Sequence, residues 1–263
     1  MQNQFDVLIV AREDDGVAQR LHQALETRGR RVCRVDGPAA ARMFTVRVHA
    51  GGNSVSPTVP MFVRASAWWQ NIETEDSDER FLRAEAHATF WAAASLCEAP
   101  VINRPGPNGP VYRMTSGSIA AILKTQNVNG CREMWVSGPE ILGGVDDTLW
   151  GEDMEFLTAP VSQLRKSGPL RARKLNPQAL YEIVSVVGKR GFSATCDSRT
   201  AELNLIEQSV ALVQRTEVHL ATVTWAVDEN GATPIRLNAA PEVQELRYSW
   251  NEVSEALCED LAS

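Results

Sequence analysis

Five cations fall within ten residues of an otherwise acidic chain: Arg165, Lys166, Arg171, Arg173 and Lys174. Such a cluster can hold a phosphate or an acidic peptide through charge-assisted hydrogen bonds. Its plainer reading is a solvated loop and the entrance to a strand. In the first half, Arg64 is the cation to test for substrate contact, against a plain surface role, just ahead of the Trp68–Trp69 pair. Beside an acidic linker, that pair reads as core or as an interface patch.

Other chemistry finds little footing. His22, His49, His87 and His219 form no H-E-x-x-H element and have no close Asp partner in sequence. There is no G-x-S-x-G elbow for a serine hydrolase. Gly138, Gly143 and Gly144 have a P-loop-like spacing, but no Lys-Ser or Lys-Thr follows, so they read as a plain loop. Cys33, Cys97, Cys131, Cys196 and Cys258 are odd in number, scattered and without a C-x-x-C pair. Reduced thiols in a cytoplasmic protein fit that pattern better than disulfides or zinc. None has a base nearby in sequence, so a thiol nucleophile finds no support.

The chain that positions these residues has 263 of them, enough for one large domain or two modest ones. A formal net charge of −7 argues against nucleic acid as a partner. No apolar run is long enough for a membrane span. The N-terminus has neither the basic start nor the cleavage site of a secretory signal.

Residues 6–36 read as a β-α-β opening: Val7–Val10 as a buried strand, then Val17, Leu21, Ala24 and Leu25 on one helical face, and Arg31–Val35 as a second strand. The intervening turn Ala11–Gly16 carries one glycine and three acids, which excludes a phosphate-cradling dinucleotide loop. Phe44–His49 and Met61–Arg64 read as strands flanking a loop at Gly51–Pro57. Asp76 and Glu79 form a candidate capping box for a helix to about Cys97, with Leu82, Phe90, Trp91 and Ala94 inward. The Pro/Gly-rich run from Asn103 to Pro110 marks a domain boundary, giving 1–104 and 105–263. Beyond it, Thr115–Gln126 reads as helix, Met134–Val136 as strand and Gly138–Trp150 as irregular. Leu180–Val187 and Phe192–Thr195 form one hairpin, Ala201–Arg215 is an amphipathic helix, and Ser249–Leu261 is a closing helix. Val218–Val227 and Ile235–Asn238 form a second hairpin about Asn230–Gly231, the strongest short-range hairpin signal.

In order, these elements resemble an ATP-grasp domain, the fold of carboxylate–amine ligases such as glutathione synthetase and ribosomal-protein glutamate ligases. Asn103-Arg104-Pro105 is similar to the element that joins the N-terminal domain to the ligase domain. Tyr181–Val187 with Gly188 resembles the strand before a hairpin, and Ala221–Asn238 resembles the metal-site hairpin. The resemblance implies a small α/β domain followed by a shortened ATP-grasp-like domain with an antiparallel sheet (α/β overall, α+β in the C-terminal half). It also implies ATP and two magnesium ions held by carboxylates.

This chain departs from that pattern. A Glu-x-Asn triplet is expected where Arg236-Leu237-Asn238 stands, and the expected Asp on the preceding strand falls at Thr224. Asn238 alone survives of the metal set. Asp228 and Glu229 supply carboxylates only from the turn, where acids are ordinary turn chemistry. Arg236, Asn238, Arg173 and Lys174 are thus the candidate cofactor contacts, and Arg64 and Arg171 the candidate substrate contacts. The leading expectation is a pseudoenzyme or accessory subunit that binds a peptide or protein partner in peptide or amino-acid modification, with no cofactor and with possible homo- or hetero-oligomers. The rival is an active ligase using ATP and magnesium through Asp228, Glu229 and Asn238.

Overall fold

The computed structural model describes residues 5–64, 76–105, 133–136, 149–152, 158–160, 170–174, 179–193, 203–229 and 231–262. Close Cα approaches divide the chain into two compact units. One comprises Met1–Tyr112, Glu217–Leu220 and Glu242–Ser263, the other Arg113–Thr216 and Ala221–Pro241.

The first unit opens with β1 (Val7–Val10), α1 (Gly16–Thr27), β2 (Val32–Val35) and α2 (Gly37–Met43). All four residues of β1 are buried, as a central parallel strand covered on both faces requires. Asp15 starts α1 by accepting the Ala18 N–H at 2.9 Å, and Val17, Ala18, Leu21 and Leu25 form its buried stripe. Gly29 ends it with φ +75°. Next come β3 (Thr45–His49) and β4 (Gly52–Ser56), a two-stranded antiparallel hairpin. The segment expected to be a loop at Gly51–Pro57 is therefore mostly strand. Its serines alternate about Val55, the one buried residue of β4.

β5 (Met61–Val63), α3 (Ser77–Leu96) and β6 (Val101–Ile102) complete the pattern. The sheet is parallel, in the order β2-β1-β5-β6. Leu8, Val10, Met61 and Val63 pack with Ala40, Phe44, Phe90 and Ala94 into one core, each large side chain worth about 1.5–3 kcal/mol when fully buried. Asp76 caps α3 through the Asp78 N–H. Leu82, expected inward, is 66% exposed, because the first turns of α3 are polar and only its second half meets the core.

In the second unit, β7 (Glu133–Val136), β8 (Leu149–Glu152), β9 (Thr158–Pro160) and β10 (Leu170–Lys174) form an antiparallel sheet ordered β7-β10-β8-β9. Leu149 and Trp150, expected to be irregular, begin β8. The helix expected at Thr115–Gln126 lies outside the described residues. β11 (Leu180–Val187) turns into β12 (Arg190–Ser193) through Gly188, whose φ of +59° suits the first position of a two-residue hairpin turn. α4 (Leu205–Gln214) packs on both strands. β13 (Leu220–Asp228) and β14 (Gly231–Asn238) form the second antiparallel hairpin. Both hairpins share one sheet, ordered β12-β11-β13-β14. The Trp225 indole, fully buried, donates to Ser209 Oγ of α4 at 2.8 Å.

Two last helices return to the first unit: α5 (Val243–Leu246), opened by a Glu242–Glu245 capping box, and α6 (Trp250–Asp260). α6 packs on α1, with the Arg20 guanidinium 5.9 Å from the centre of the Trp250 ring. The chain end thus packs with the first unit, whereas the sequence boundary at 104/105 groups it with the second. Among the described residues, no helix is long and apolar enough to cross a membrane.

Candidate functional site

The β13–β14 hairpin fixes its polar residues by register. Thr222 stands opposite Asn238 and Thr224 opposite Arg236. Positions two apart share a face of a sheet, so the four form one polar patch. Beyond Thr224 the register shifts and Trp225 pairs with Pro234, leaving Ile235 as the extra residue of a bulge. Pro234 has no N–H to give a ladder and is tolerated because β14 is an edge strand. The bulge sits beside the Thr224–Arg236 pair.

Asn238 is 3% exposed, and its Oδ1 accepts the Ala240 N–H at 3.1 Å, turning the chain sharply as it leaves the strand. Asn238 therefore has a structural task beside any binding one. Arg236 and Thr224 are half-buried.

The hairpin's donors do not fit magnesium. The ion prefers hard oxygen ligands at about 2.0–2.1 Å, usually including carboxylates. Here the facing positions carry a hydroxyl, an amide and a guanidinium whose charge repels a cation. Asp228 closes the ladder opposite Gly231 at the far end of the hairpin, so Glu229 belongs to the turn and Gly231 begins β14. Asp228 lies six strand positions from Thr222, the partner of Asn238, or about 20 Å along the strand. Asp228, Glu229 and Asn238 therefore cannot share one ion. Among the described residues, no three His, Cys, Asp or Glu side chains converge as a metal site.

Arg171, Arg173 and Lys174 lie on β10, the inner strand between β7 and β8, where a strand entrance was expected. Arg171 pairs with Trp135 and Glu152, Arg173 with Glu133 and Trp150, and Lys174 with Leu149. Arg165, Lys166, the Trp68–Trp69 pair and the Gly138–Gly144 run lie outside the described residues.

Arg64 is no surface residue. It follows β5, and its side chain is 7% exposed. Its Nε donates to Asp15 Oδ2 at 2.7 Å, while the other oxygen of Asp15 caps α1. The acids of the Ala11–Gly16 turn are thereby explained in part: Asp15 holds Arg64, and Asp14 pairs with Arg12 at 2.6 Å.

Two features were hidden from sequence spacing. Asn103, with φ +57° and buried, accepts the N–H groups of His219 and Leu220 at 3.1 and 2.8 Å and donates to Leu220 O at 3.2 Å. Arg104 spreads its guanidinium over the carbonyls of Ala94, Ser95, Cys97 and Ala99, satisfying the orphan acceptors at the end of α3. The Asn-Arg-Pro element is thus a structural clamp. His219 Nε2 also lies 2.7 Å from Asp260 Oδ2, a pairing that forty-one residues of separation concealed. The other described histidines are plainly placed: His22 meets Glu26, and His87 meets the Trp91 ring edge-on, with burial lowering its pKa.

A cavity of about 500 Å³ opens at the amino ends of β1 and β5, lined by Phe5, Asp6, Arg31 and Pro60 among others. Arg31 and Asp6 are bound to each other there, through the Arg31 side chain and backbone N–H.

No family model and no curated protein matches this chain. Solved structures do. The ATP-grasp ligase PsnB, complexed with a minimal precursor, superposes with a TM-score of 0.69 at 15% identity, over 98% of each chain. The macrocyclase MdnC of Microcystis aeruginosa, bound with precursor peptide MdnA, gives 0.65 at 11% identity over 97% of this chain and 98% of its own. A RiPP-associated ATP-grasp ligase of Chryseobacterium gregarium, in complex with ADP and a leader and core peptide, gives 0.65 at 12%, over 97% and 96%. Against these structures the chain shows no shortening. With a parallel sheet early in the chain and both hairpins later sharing one antiparallel sheet, the chain has the ATP-grasp fold.

Proposed function

We propose that this chain is a pseudoenzyme or accessory subunit on an ATP-grasp scaffold, binding a peptide or protein partner in the cytoplasm within a peptide-modification pathway. The observation that carries the reading is Arg236 directly opposite Thr224, where a ligase of this fold needs carboxylates. A guanidinium there supplies a fixed positive charge in place of the one a metal would bring, and it suits an anionic peptide group better than a metal-bound nucleotide. Peptide binding is supported by the neighbours: PsnB, MdnC and the Chryseobacterium ligase are each complexed with precursor or leader peptides.

The rival reading, an active ATP-dependent carboxylate–amine ligase with an atypical metal site, is favoured by one observation. A PsnB structure that holds magnesium and ADP matches 98% of this chain. Calorimetry with ATP and magnesium separates the two. The pseudoenzyme reading expects no saturable binding and no ADP when carboxylate and amine substrates are supplied together. Micromolar binding that disappears in Asn238→Ala would overturn it.

A further inference from the structure

The parallel sheet of the first unit reverses its strand order between β1 and β5: the chain runs from β1 outward to β2 on one side and returns through β5 to β6 on the other. In open parallel sheets, the crevice outside the carboxyl ends of the strands at such a reversal is where ligands bind. Here that crevice receives the end of β1, the start of α1 and Arg64. The Arg64 backbone N–H is joined to Val10 O at 2.8 Å, which fixes the residue at the mouth.

The Arg64 side chain is more than nine-tenths buried, yet its Nη1 meets no acceptor among the described residues. A buried cationic N–H without a partner is costly, because its lost hydration is not repaid. Asp15 takes only Nε, by one oxygen, and leaves the Nη edge of the guanidinium without a bond to it. That edge is the fork that receives the two oxygens of a carboxylate. The first turn of α1 lies alongside, since the same Asp15 caps it, and its dipole favours a negative group. Asp15 also locks the arginine rotamer before any ligand arrives, which reduces the ordering cost of binding.

We propose that Arg64 and the first turn of α1 form a carboxylate-binding site at the carboxyl ends of β1 and β5. The ligand class is an acidic side chain or C-terminus of a peptide. The Arg64–Asp15 pair is already neutral, so a bound monoanion adds a single negative charge for the Nη edge and the α1 dipole to offset, whereas a phosphate dianion would add two beside the Asp15 carboxylate. The site rests on the first unit alone and stands or falls independently of nucleotide binding at β13–β14.

The test is an NMR titration of the full chain labelled with ¹⁵N-arginine, using N-acetylglutamate α-amide, its neutral glutamine counterpart and inorganic phosphate as separate probes. Saturable shifts of the Arg64 side-chain signals with the carboxylate, absent with the neutral amide and at least about tenfold weaker in Arg64→Lys, are expected, since lysine cannot offer a planar fork. Tighter binding of phosphate than of the carboxylate would overturn the proposal in favour of a phosphate site. Shifts with neither probe, or an Nη1 signal already coupled across a hydrogen bond to a group of the chain itself, would overturn it outright. Should Arg64→Lys fail to fold, the three titrations of the unaltered chain decide alone.

Discussion

Asn103 holds Leu220 by both of its backbone polar groups, accepting the Leu220 N–H at 2.8 Å and donating to its carbonyl at 3.2 Å. A third bond, from the His219 N–H, completes the clamp. Asn103→Ala leaves those backbone groups buried and unpaired, so it is expected to lower the unfolding free energy by about 2–4 kcal/mol in a urea titration. Asn103→Gly separates the two reasons for asparagine here. It accommodates φ +57° freely, so a loss as large as that of alanine assigns the effect to the hydrogen bonds.

Acid should weaken the Asp6–Arg31 pair. The Arg31 side-chain hydrogen bond, aided by the Arg31 backbone N–H, lowers the Asp6 pKa from 3.8 to about 2. A carboxyl whose folded pKa lies below its unfolded value stabilises the fold above the unfolded pKa. That contribution is lost as pH falls from about 4 through about 2. Comparing Asp6→Asn with the unaltered chain should show a stability gap at pH 6 that narrows below about pH 4 and closes only below about pH 2. A gap independent of pH would dismiss the linkage.

At Gly191 on β12, α4 comes close to the sheet. A Cβ there would lie 2.7 Å from Ile206 Cγ2 and 3.0 Å from Val210 Cγ2, both on stiff β-branched side chains. Gly191→Ala is expected to destabilise the chain by about 1–3 kcal/mol, measured by chemical denaturation. Pairing it with Ile206→Ala should recover part of that loss, a rescue that a purely conformational role for the glycine would not give.

The proposed loss of metal chemistry can be run backwards. Thr224→Asp with Arg236→Glu places two carboxylates beside Asn238 at facing positions of the hairpin. Magnesium-dependent ADP binding, followed by calorimetry, is expected to strengthen by about tenfold, or 1.4 kcal/mol. Nucleotide binding equal in both proteins would show that Arg236 is not what prevents it.

The second hairpin was legible from its turn, but a count from the Asp228–Gly231 pair would set Thr224 opposite Ile235, and only the bulge at Ile235, which the count cannot show, brings Arg236 there. The β-α-β opening was legible from periodicity, and α3 from its cap. What stayed hidden depends on long-range contact. Arg64 looks like any surface cation until α1 brings Asp15 to it from forty-nine residues away. His219 and Asp260 have no spacing to betray them. The separation of Asp228 from Asn238 along the hairpin follows from strand geometry once the pairing is fixed, because an extended strand carries neighbours in sequence far apart in space.

The return of α5 and α6 to the first unit has a bearing on how the protein is made. A ribosome delivers β1 well before Asp260, so the parallel sheet emerges long before the helix that packs against α1. The β-α-β segment must wait, with that flank of α1 bare, until everything between α1 and α6 has been made. Folding is thereby tied to contacts of the highest sequence separation, which are slow to form and exposed to misassociation meanwhile. Truncation near residue 240 would then leave a nascent chain that chaperones hold longer, and a released N-terminal half would be the fragment most prone to aggregate.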